Sequence, residues 1–122
     1  MPKTGPQILG ALGEQLALGH YERLGYRPLD RNYRTRAGEI DLVVCGEGTI
    51  VFAEVKTRRA GGLDPVLAIT VRKRRRLRAL AVAWLADHPD RPRPAAVRID
   101  AVTVVLDEAD RLVALEQFED VA

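Results

Sequence analysis

Apolar and polar positions follow a helical spacing at the start of the chain. In QILGALGEQLALGHYERL, residues 7–24, apolar side chains recur every three or four residues, which predicts a first helix with Gly25 as its C-terminal stop. The predicted buried face consists of Ile8, Leu9, Leu12, Leu16 and Leu24. The next segment, YRPLDRNYR at 26–34, predicts a short strand that Pro28 interrupts.

Two nearly continuous apolar runs come next. EIDLVVC at 39–45 and TIVFAEVK at 49–56 are rich in Val and Ile, a pattern typical of strands that are covered on both faces. The four residues from Gly46 to Thr49 resemble a tight hairpin turn. These runs therefore predict a β-hairpin in the middle of the sheet.

The second half of the chain returns to a helical pattern before its last strands. After a flexible stretch at 59–62, Asp64–Pro65 indicates a helix start, and a second helix is predicted over 72–88 with Pro89 as its stop. Its apolar stripe consists of Leu77, Leu80, Ala81, Trp84 and Leu85. RIDAVTVVL at 98–106 predicts a fourth strand, and RLVAL at 111–115 is a candidate fifth.

This order of elements predicts one α/β domain over residues 1–122 with a mixed central sheet. The chain has 122 residues and is 47% hydrophobic, which is enough for a single core. It holds no run of about twenty apolar residues, and its N-terminus lacks the apolar core of a signal peptide. The single cysteine, Cys45, excludes an internal disulfide and a cysteine-based zinc site. We therefore expect a soluble cytoplasmic protein without membrane contact.

The hairpin register brings several charged residues together. If Glu47 and Gly48 are the central turn residues, Asp41 faces Glu54 and Glu39 faces Lys56. Because side chains alternate between faces, all four are predicted on one surface of the sheet. The opposite surface would be apolar, with Ile40, Leu42, Val44, Val51, Ala53 and Val55.

Facing carboxylates suggest a cation site. Directly opposed side chains have Cβ atoms about 5 Å apart, close enough for Asp41 and Glu54 to bind one divalent ion. Without a cation the two would repel, and at least one should have a raised pKa. Lys56, on the same predicted face, could orient a water or balance charge on a phosphate. A plain ion pair between Glu39 and Lys56 is the alternative, but it leaves Asp41 against Glu54 unexplained.

Charge is unevenly distributed, although the formal net charge is only +2. Residues 31–98 hold fifteen basic and seven acidic side chains, whereas residues 99–122 hold one basic and seven acidic. A basic segment that also contains the carboxylates suggests a polyanion held beside a divalent metal. The predicted phosphate-binding residues are Arg34, Arg58, Arg59, Arg72, Lys73, Arg74, Arg75 and Arg76. An ordinary exposed helical face is the alternative for the run at 72–76.

Several motifs together resemble the YraN family of bacterial predicted endonucleases. They are GE at 13–14 with Ala17, RNYR at 31–34, GEIDLV at 38–43, VFAEVKTR at 51–58, Lys73 and RIDAVTV at 98–104. Asp41 followed by Glu54–Val55–Lys56 also resembles the Asp…Glu-x-Lys signature of restriction-endonuclease-like nucleases. Ile40 stands where the wider signature has proline.

The resemblance implies a fold and a site. The family is related to archaeal Holliday junction resolvases, which implies a restriction-endonuclease-like αβββαβ core and a homodimer. By position, Asp41 and Glu54 would bind Mg²⁺ or Mn²⁺ together with the Val55 carbonyl, and Lys56 would be the catalytic lysine. Glu14 would approach the metal from the first helix, although a mid-helix glutamate is otherwise more often solvated. Glu39 belongs to the motif without an assigned role.

Three hypotheses follow. The first is a Mg²⁺-dependent endonuclease acting on DNA, including branched or damaged forms. The second is a nucleic-acid-binding module whose metal site is vestigial. The third is a protein-interaction role for the acidic segment at 99–122, docked on a basic partner or a second copy. For Asp100 within that segment, a structural role at the edge of the core is favoured over support of the site.

Overall fold

The computed structural model describes residues 2, 5–62 and 69–122. The order of helix, three strands, helix and two strands agrees with the prediction. The elements are α1 (Gly5–Arg23), β1 (Arg27–Thr35), β2 (Gly38–Gly46), β3 (Thr49–Arg59), α2 (Val71–Asp87), β4 (Ala96–Leu106) and β5 (Leu112–Phe118). The predicted helix start at Asp64–Pro65 lies outside the described residues. In the described chain, neither helix combines the length and the apolar character needed to cross a bilayer.

The five strands form one mixed sheet in the order β1-β2-β3-β4-β5. Strands β3 and β4 are parallel, and the other neighbours are antiparallel. Glu47 and Gly48 both have positive φ, 50° and 75°, as the two central residues of a type I′ turn require. The predicted hairpin register is confirmed from Gly46–Thr49 to Leu42–Ala53.

Helix α1 packs on one face of the sheet through two small and two large residues. Its buried residues are Gly13, Ala17, Leu18 and Tyr21. A Cβ at Gly13 would overlap the side chain of Thr57 on β3, so only glycine permits this close contact. The predicted apolar face was therefore partly wrong: Ile8 and Leu24 are about half exposed, at 48% and 50%. Leu9, Leu12 and Leu16 border the core and are only partly buried.

Helix α2 covers the opposite face, and its predicted stripe is confirmed. Leu77, Leu80, Ala81 and Trp84 are buried, and Leu85 packs against them. They contact a second apolar layer on the sheet, formed by Ile40, Val43, Ile50, Phe52 and Ile99. Thr70 caps the helix, because its hydroxyl accepts a hydrogen bond from the Lys73 backbone amide.

Asp100 is fully buried and joins several elements. It accepts hydrogen bonds from the hydroxyl of Tyr21 at 2.7 Å, from the amide of Gln117 at 3.0 Å and from the backbone of Asp120 at 3.1 Å. Arg98 adds two charge-assisted bonds at 2.8 and 3.0 Å. Burial and the Asp100 carboxylate raise the pKa of the Tyr21 hydroxyl. These contacts link α1, β4, β5 and the C-terminal segment, in agreement with the structural role favoured from the sequence.

Candidate functional site

Asp41 lies where the pairing of β2 with β3 stops. Beyond Leu42–Ala53 the two backbones no longer pair, and Asp41 Oδ2 instead accepts a 2.7 Å hydrogen bond from the backbone amide of Val55. The alternation of side chains changes at this point, because Ile40 packs on the α2 side while Leu42 packs on the α1 side. The predicted pairing of Asp41 with Glu54 and of Glu39 with Lys56 is therefore not formed, and Ile40 is not on the surface expected for it.

Asp41 lines a cleft beside α1. The cleft has a volume of about 330 Å³, and its walls are Gln7, Gly10, Ala11, Glu14, Asn32, Arg34, Glu39 and Asp41. The structure thus brings Asp41, Glu39 and Glu14 together. Glu14 lines the same cleft as Asp41, and the approach to a metal implied for it by the family resemblance stays a prediction.

Asn32 joins two of these carboxylates and was missed as a site residue. With its amide nitrogen facing the carboxylates, it donates to Glu14 Oε1 at 3.0 Å and to Glu39 Oε1 at 3.1 Å. Its φ of 54° is unusual in a strand and is a conformation that asparagine tolerates better than most residues. The available signal was a polar asparagine within RNYR, a segment noted only for the family resemblance.

The environment of Asp41 favours its protonated form. Burial raises the pKa of Asp41 to about 7. The negative charges of Glu14, Glu39 and Glu54 add to this effect, whereas the hydrogen bond from Val55 opposes it. The direction agrees with the raised pKa expected from clustered carboxylates, but burial contributes more to it than the neighbouring charges do.

Glu54 turns to the other side of the sheet. Its Oε1 lies 3.1 Å from Nζ of Lys73 on α2, and both side chains are about three-quarters buried. Its Oε2 is buried and has no hydrogen-bond partner within the described part of the chain. The prediction that Glu39, Asp41, Glu54 and Lys56 share one surface is therefore wrong, because the break at Asp41 places Glu39 and Asp41 in the cleft beside α1.

Lys56 and Glu39 do not pair. Lys56 is exposed, and along residues 5–62 and 69–122 it makes no ion pair with a carboxylate. Glu39 instead faces Arg34 on β1, with the Arg34 Nε atom 3.5 Å from Glu39 Oε2. The simple ion pair considered from the sequence is thus replaced by another one.

The donor atoms suit a hard divalent cation. Asp41 and Glu54 offer carboxylate oxygens, and one oxygen of Glu54 lacks a partner. Among the described residues no three His, Cys, Asp or Glu side chains are arranged to hold one metal ion. A cation bound by Asp41 and Glu54 alone would need waters to complete its coordination. For Val55, the contact observed at the site is through its amide, not its carbonyl.

The predicted phosphate-binding residues other than Lys73, which pairs with Glu54, separate into two groups. Arg72, Arg74, Arg75 and Arg76 are exposed on α2, and Arg34 is exposed beside the cleft. Arg59 is held by the β4–β5 turn, with Asp110 at 2.7 Å and the Asp107 carbonyl at 2.8 Å. Arg58 is half-buried and donates to the Arg59 carbonyl at 3.4 Å. The α2 arginines and Arg34 are therefore exposed cations, whereas Arg58 and Arg59 are engaged with neighbouring groups.

Comparison with known proteins places the chain in a family. Residues 13–104 match the model described as "Uncharacterised protein family UPF0102". The chain belongs to UPF0102. This confirms the YraN-like resemblance inferred from the motifs. The UPF0102 match begins at Gly13, which contacts β3, and includes the cleft residues from Glu14 to Asp41 as well as Glu54 and Lys73.

Individual UPF0102 proteins agree over most of their length. A UPF0102 protein of Corynebacterium efficiens is 44% identical over 120 residues, covering 98% of this chain and 95% of that protein. A UPF0102 protein of Mycobacterium avium is 52% identical over 99 residues, with 79% of this chain and 76% of that protein covered. One of Mycobacterium tuberculosis is 50% identical over the same length and with the same coverage.

Proposed function

We propose that this UPF0102 protein is a divalent-metal-dependent endonuclease that hydrolyses phosphodiester bonds of DNA. The observation that carries the proposal is the half-buried Asp41 carboxylate, which accepts a hydrogen bond from the Val55 amide and feels the negative charges of Glu14, Glu39 and Glu54. Ionising a half-buried carboxylate among others is costly, and a bound cation would offset that cost. The order of elements is also compatible with a restriction-endonuclease-like αβββαβ core.

Asp41 and Glu54 are proposed to hold Mg²⁺ or Mn²⁺ at the edge where the pairing of β2 with β3 stops. The two side chains reach this edge from different faces of the sheet, and the charge of Glu54 is near enough to raise the pKa of Asp41. Bound there, the cation would polarise a phosphate oxygen and lower the pKa of a coordinated water. The Val55 amide keeps the Asp41 carboxylate in one orientation, and Asn32 bridges the carboxylates of Glu14 and Glu39. Lys56 is exposed and lies two residues after Glu54 on β3. Its proposed role is to balance the negative charge on the substrate phosphate.

DNA backbone contact is proposed for the exposed arginines of α2. Aromatic side chains offer little for base stacking, since Trp84 is buried and the Tyr33 hydroxyl donates to Asp87 at 2.6 Å. Recognition of shape and phosphates is therefore favoured over base readout. The same proposal includes branched or damaged DNA as the substrate and a homodimer as the assembly, both suggested by the family relation. It also includes a cytoplasmic location, which the sequence suggests.

A non-catalytic nucleic-acid-binding module is the second candidate. Two observations favour it: Lys73 already pairs with Glu54, and within the described chain Lys56 is exposed and forms no ion pair with a carboxylate. Such a module would bind DNA with strong salt dependence and would show no turnover.

A substrate panel separates the two candidates. Purified protein is incubated with linear, single-stranded, flapped and four-way DNA in Mg²⁺ or Mn²⁺, and products are resolved on denaturing gels. The nuclease proposal expects cleavage by wild type and by Glu116→Gln, an exposed strand variant, with loss of at least about a hundredfold in Asp41→Asn and Lys56→Ala. Binding without metal-dependent products from any substrate would favour the module. Molar mass measured in solution tests the homodimer.

A further inference from the structure

Lys73 differs from the other basic residues at the start of α2. Arg72, Arg74, Arg75 and Arg76 are exposed, whereas Lys73 is about one-quarter exposed. It lies four residues before Leu77, so it begins the stripe that faces the sheet. The helix thus aims one cation of this run inwards.

The inward position of Lys73 is fixed locally. Thr70 caps the helix at the Lys73 backbone amide, 3.1 Å from the threonine hydroxyl. The ammonium group lies 3.1 Å from Glu54 Oε1. This pair is more buried than the Arg34–Glu39 pair, whose members are 74% and 35% exposed.

Glu54 has capacity beyond this pair. Its Oε2 is buried and accepts no hydrogen bond from the described residues. A buried carboxylate oxygen without a partner is costly, and a second cationic group would remove that cost. Lys73 therefore contacts one oxygen of the Glu54 carboxylate and leaves the other available to a second cation.

We propose that Lys73 is an internal cation that competes with the divalent metal for Glu54 and is released towards the substrate when metal binds. The inference rests on the proposed function, because it takes Glu54 as a metal ligand. A divalent ion beside Glu54 repels the ammonium, and the flexible four-carbon stem of lysine lets that group move away. Lys73 then joins the exposed arginines as a phosphate contact, so metal binding and DNA binding strengthen each other.

Metal affinity is the first test, measured by calorimetry with Mg²⁺ and Mn²⁺ in the absence of DNA. Lys73→Gln should bind metal at least about fivefold more tightly than wild type, because the competing charge is gone. Lys73→Arg keeps the charge, so its metal affinity should stay within about threefold of wild type. If Lys73→Gln impairs folding, Lys73→Met replaces it, because methionine keeps the apolar stem without the charge. Arg72→Gln is the matched control: it removes one exposed charge from the same turn and should change affinity less than about twofold.

DNA binding in EDTA is the second test, with a labelled four-way junction. Glu54→Gln should tighten binding in the wild-type background, because it releases Lys73, and should tighten it much less in the Lys73→Gln background. Equal gains in both backgrounds would mean that Glu54 acts only through general charge, which overturns the inference.

The outcomes separate the two proposals. If wild type binds metal and cleaves DNA while Lys73→Gln binds metal no more tightly, the competition is wrong and the nuclease proposal stands. If metal binds only after Lys73 is replaced, the competition is supported and the wild-type nuclease proposal fails. If neither protein binds metal, both proposals fail.

Discussion

The carboxylate of Asp41 on β2 accepts a 2.7 Å hydrogen bond from the backbone amide of Val55 on β3. This bond lies just past the last backbone pair of the hairpin, Leu42–Ala53. A side chain here takes a donor that would otherwise be satisfied by the neighbouring strand. Because this side-chain bond replaces a bond between the two backbones, β2 and β3 separate here. Asp41 then lies towards α1, and Glu54 faces α2. The same residue therefore lies where the pairing of the strands ends and places a half-buried carboxyl group at the candidate site.

The raised pKa of Asp41 predicts a pH-dependent stability in metal-free protein. The pKa is about 7 in the folded state and 3.8 ordinarily, so the unfolded chain releases this proton first as pH rises. Asp41 should therefore stabilise the fold less as pH rises from about 4 to 7, with a total effect of about 1–4 kcal/mol. Urea unfolding in EDTA should show that Asp41→Asn gains stability relative to wild type across this window. A constant difference between the two proteins from pH 4 to 8 would contradict the assignment.

The contact of Gly13 with Thr57 predicts a costly alanine substitution. Gly13→Ala should destabilise the protein by about 1–3 kcal/mol, because the new Cβ overlaps the Thr57 side chain. Gly10→Ala is the matched control on the same helix, since no atom lies within 4 Å of its added Cβ. This control should be neutral or stabilise by up to about 1 kcal/mol through helix propensity. Chemical denaturation measures both, and Thr57→Ala should recover part of the Gly13→Ala loss.

The elements could be predicted from the sequence where local rules decide them. Glu47–Gly48 fixes the hairpin register, because both residues adopt the positive φ of a type I′ turn. The stripe on α2 follows from a regular helical spacing of large apolar residues. The stripe on α1 could not be predicted in this way, because α1 makes its close contact through Gly13 and Ala17, which hydrophobic patterning does not single out.

The candidate site was only partly predictable. The hairpin register and the family resemblance identified Asp41 and Glu54 as candidates. The face of the sheet on which each side chain lies could not be predicted, because one hydrogen bond, from the Val55 amide to Asp41, breaks the alternation of side chains. Strict period-two reasoning cannot detect such a local break. Lys73 could have been assigned inwards from its spacing to Leu77, yet its place in a basic run favoured an exposed position.

The conformation of Glu47 predicts a simple stabilising change. Glutamate at a φ of 50° is less favourable than asparagine, and asparagine followed by glycine is preferred in type I′ turns. Glu47→Asn should raise the free energy of unfolding by about 0.3–1 kcal/mol, seen as a higher melting temperature by circular dichroism. Glu108→Asn, in the exposed β4–β5 turn, controls for the loss of a surface carboxylate. If both variants gained the same free energy of unfolding, the β2–β3 turn would not be the cause of the gain.

Exposed and engaged arginines should differ in DNA binding. Arg75 is exposed on α2, so Arg75→Gln should weaken binding and reduce the slope of log affinity against log salt by about 1. Arg59 was also predicted to contact phosphate, but its guanidinium is held by Asp110 and the Asp107 carbonyl. Arg59→Gln should therefore leave the slope unchanged while loosening the β4–β5 turn. Fluorescence anisotropy between 50 and 200 mM KCl, with a labelled duplex, measures both slopes. A larger change in slope for Arg59→Gln than for Arg75→Gln would indicate that DNA binds at the ends of β3 and β4 and not on α2.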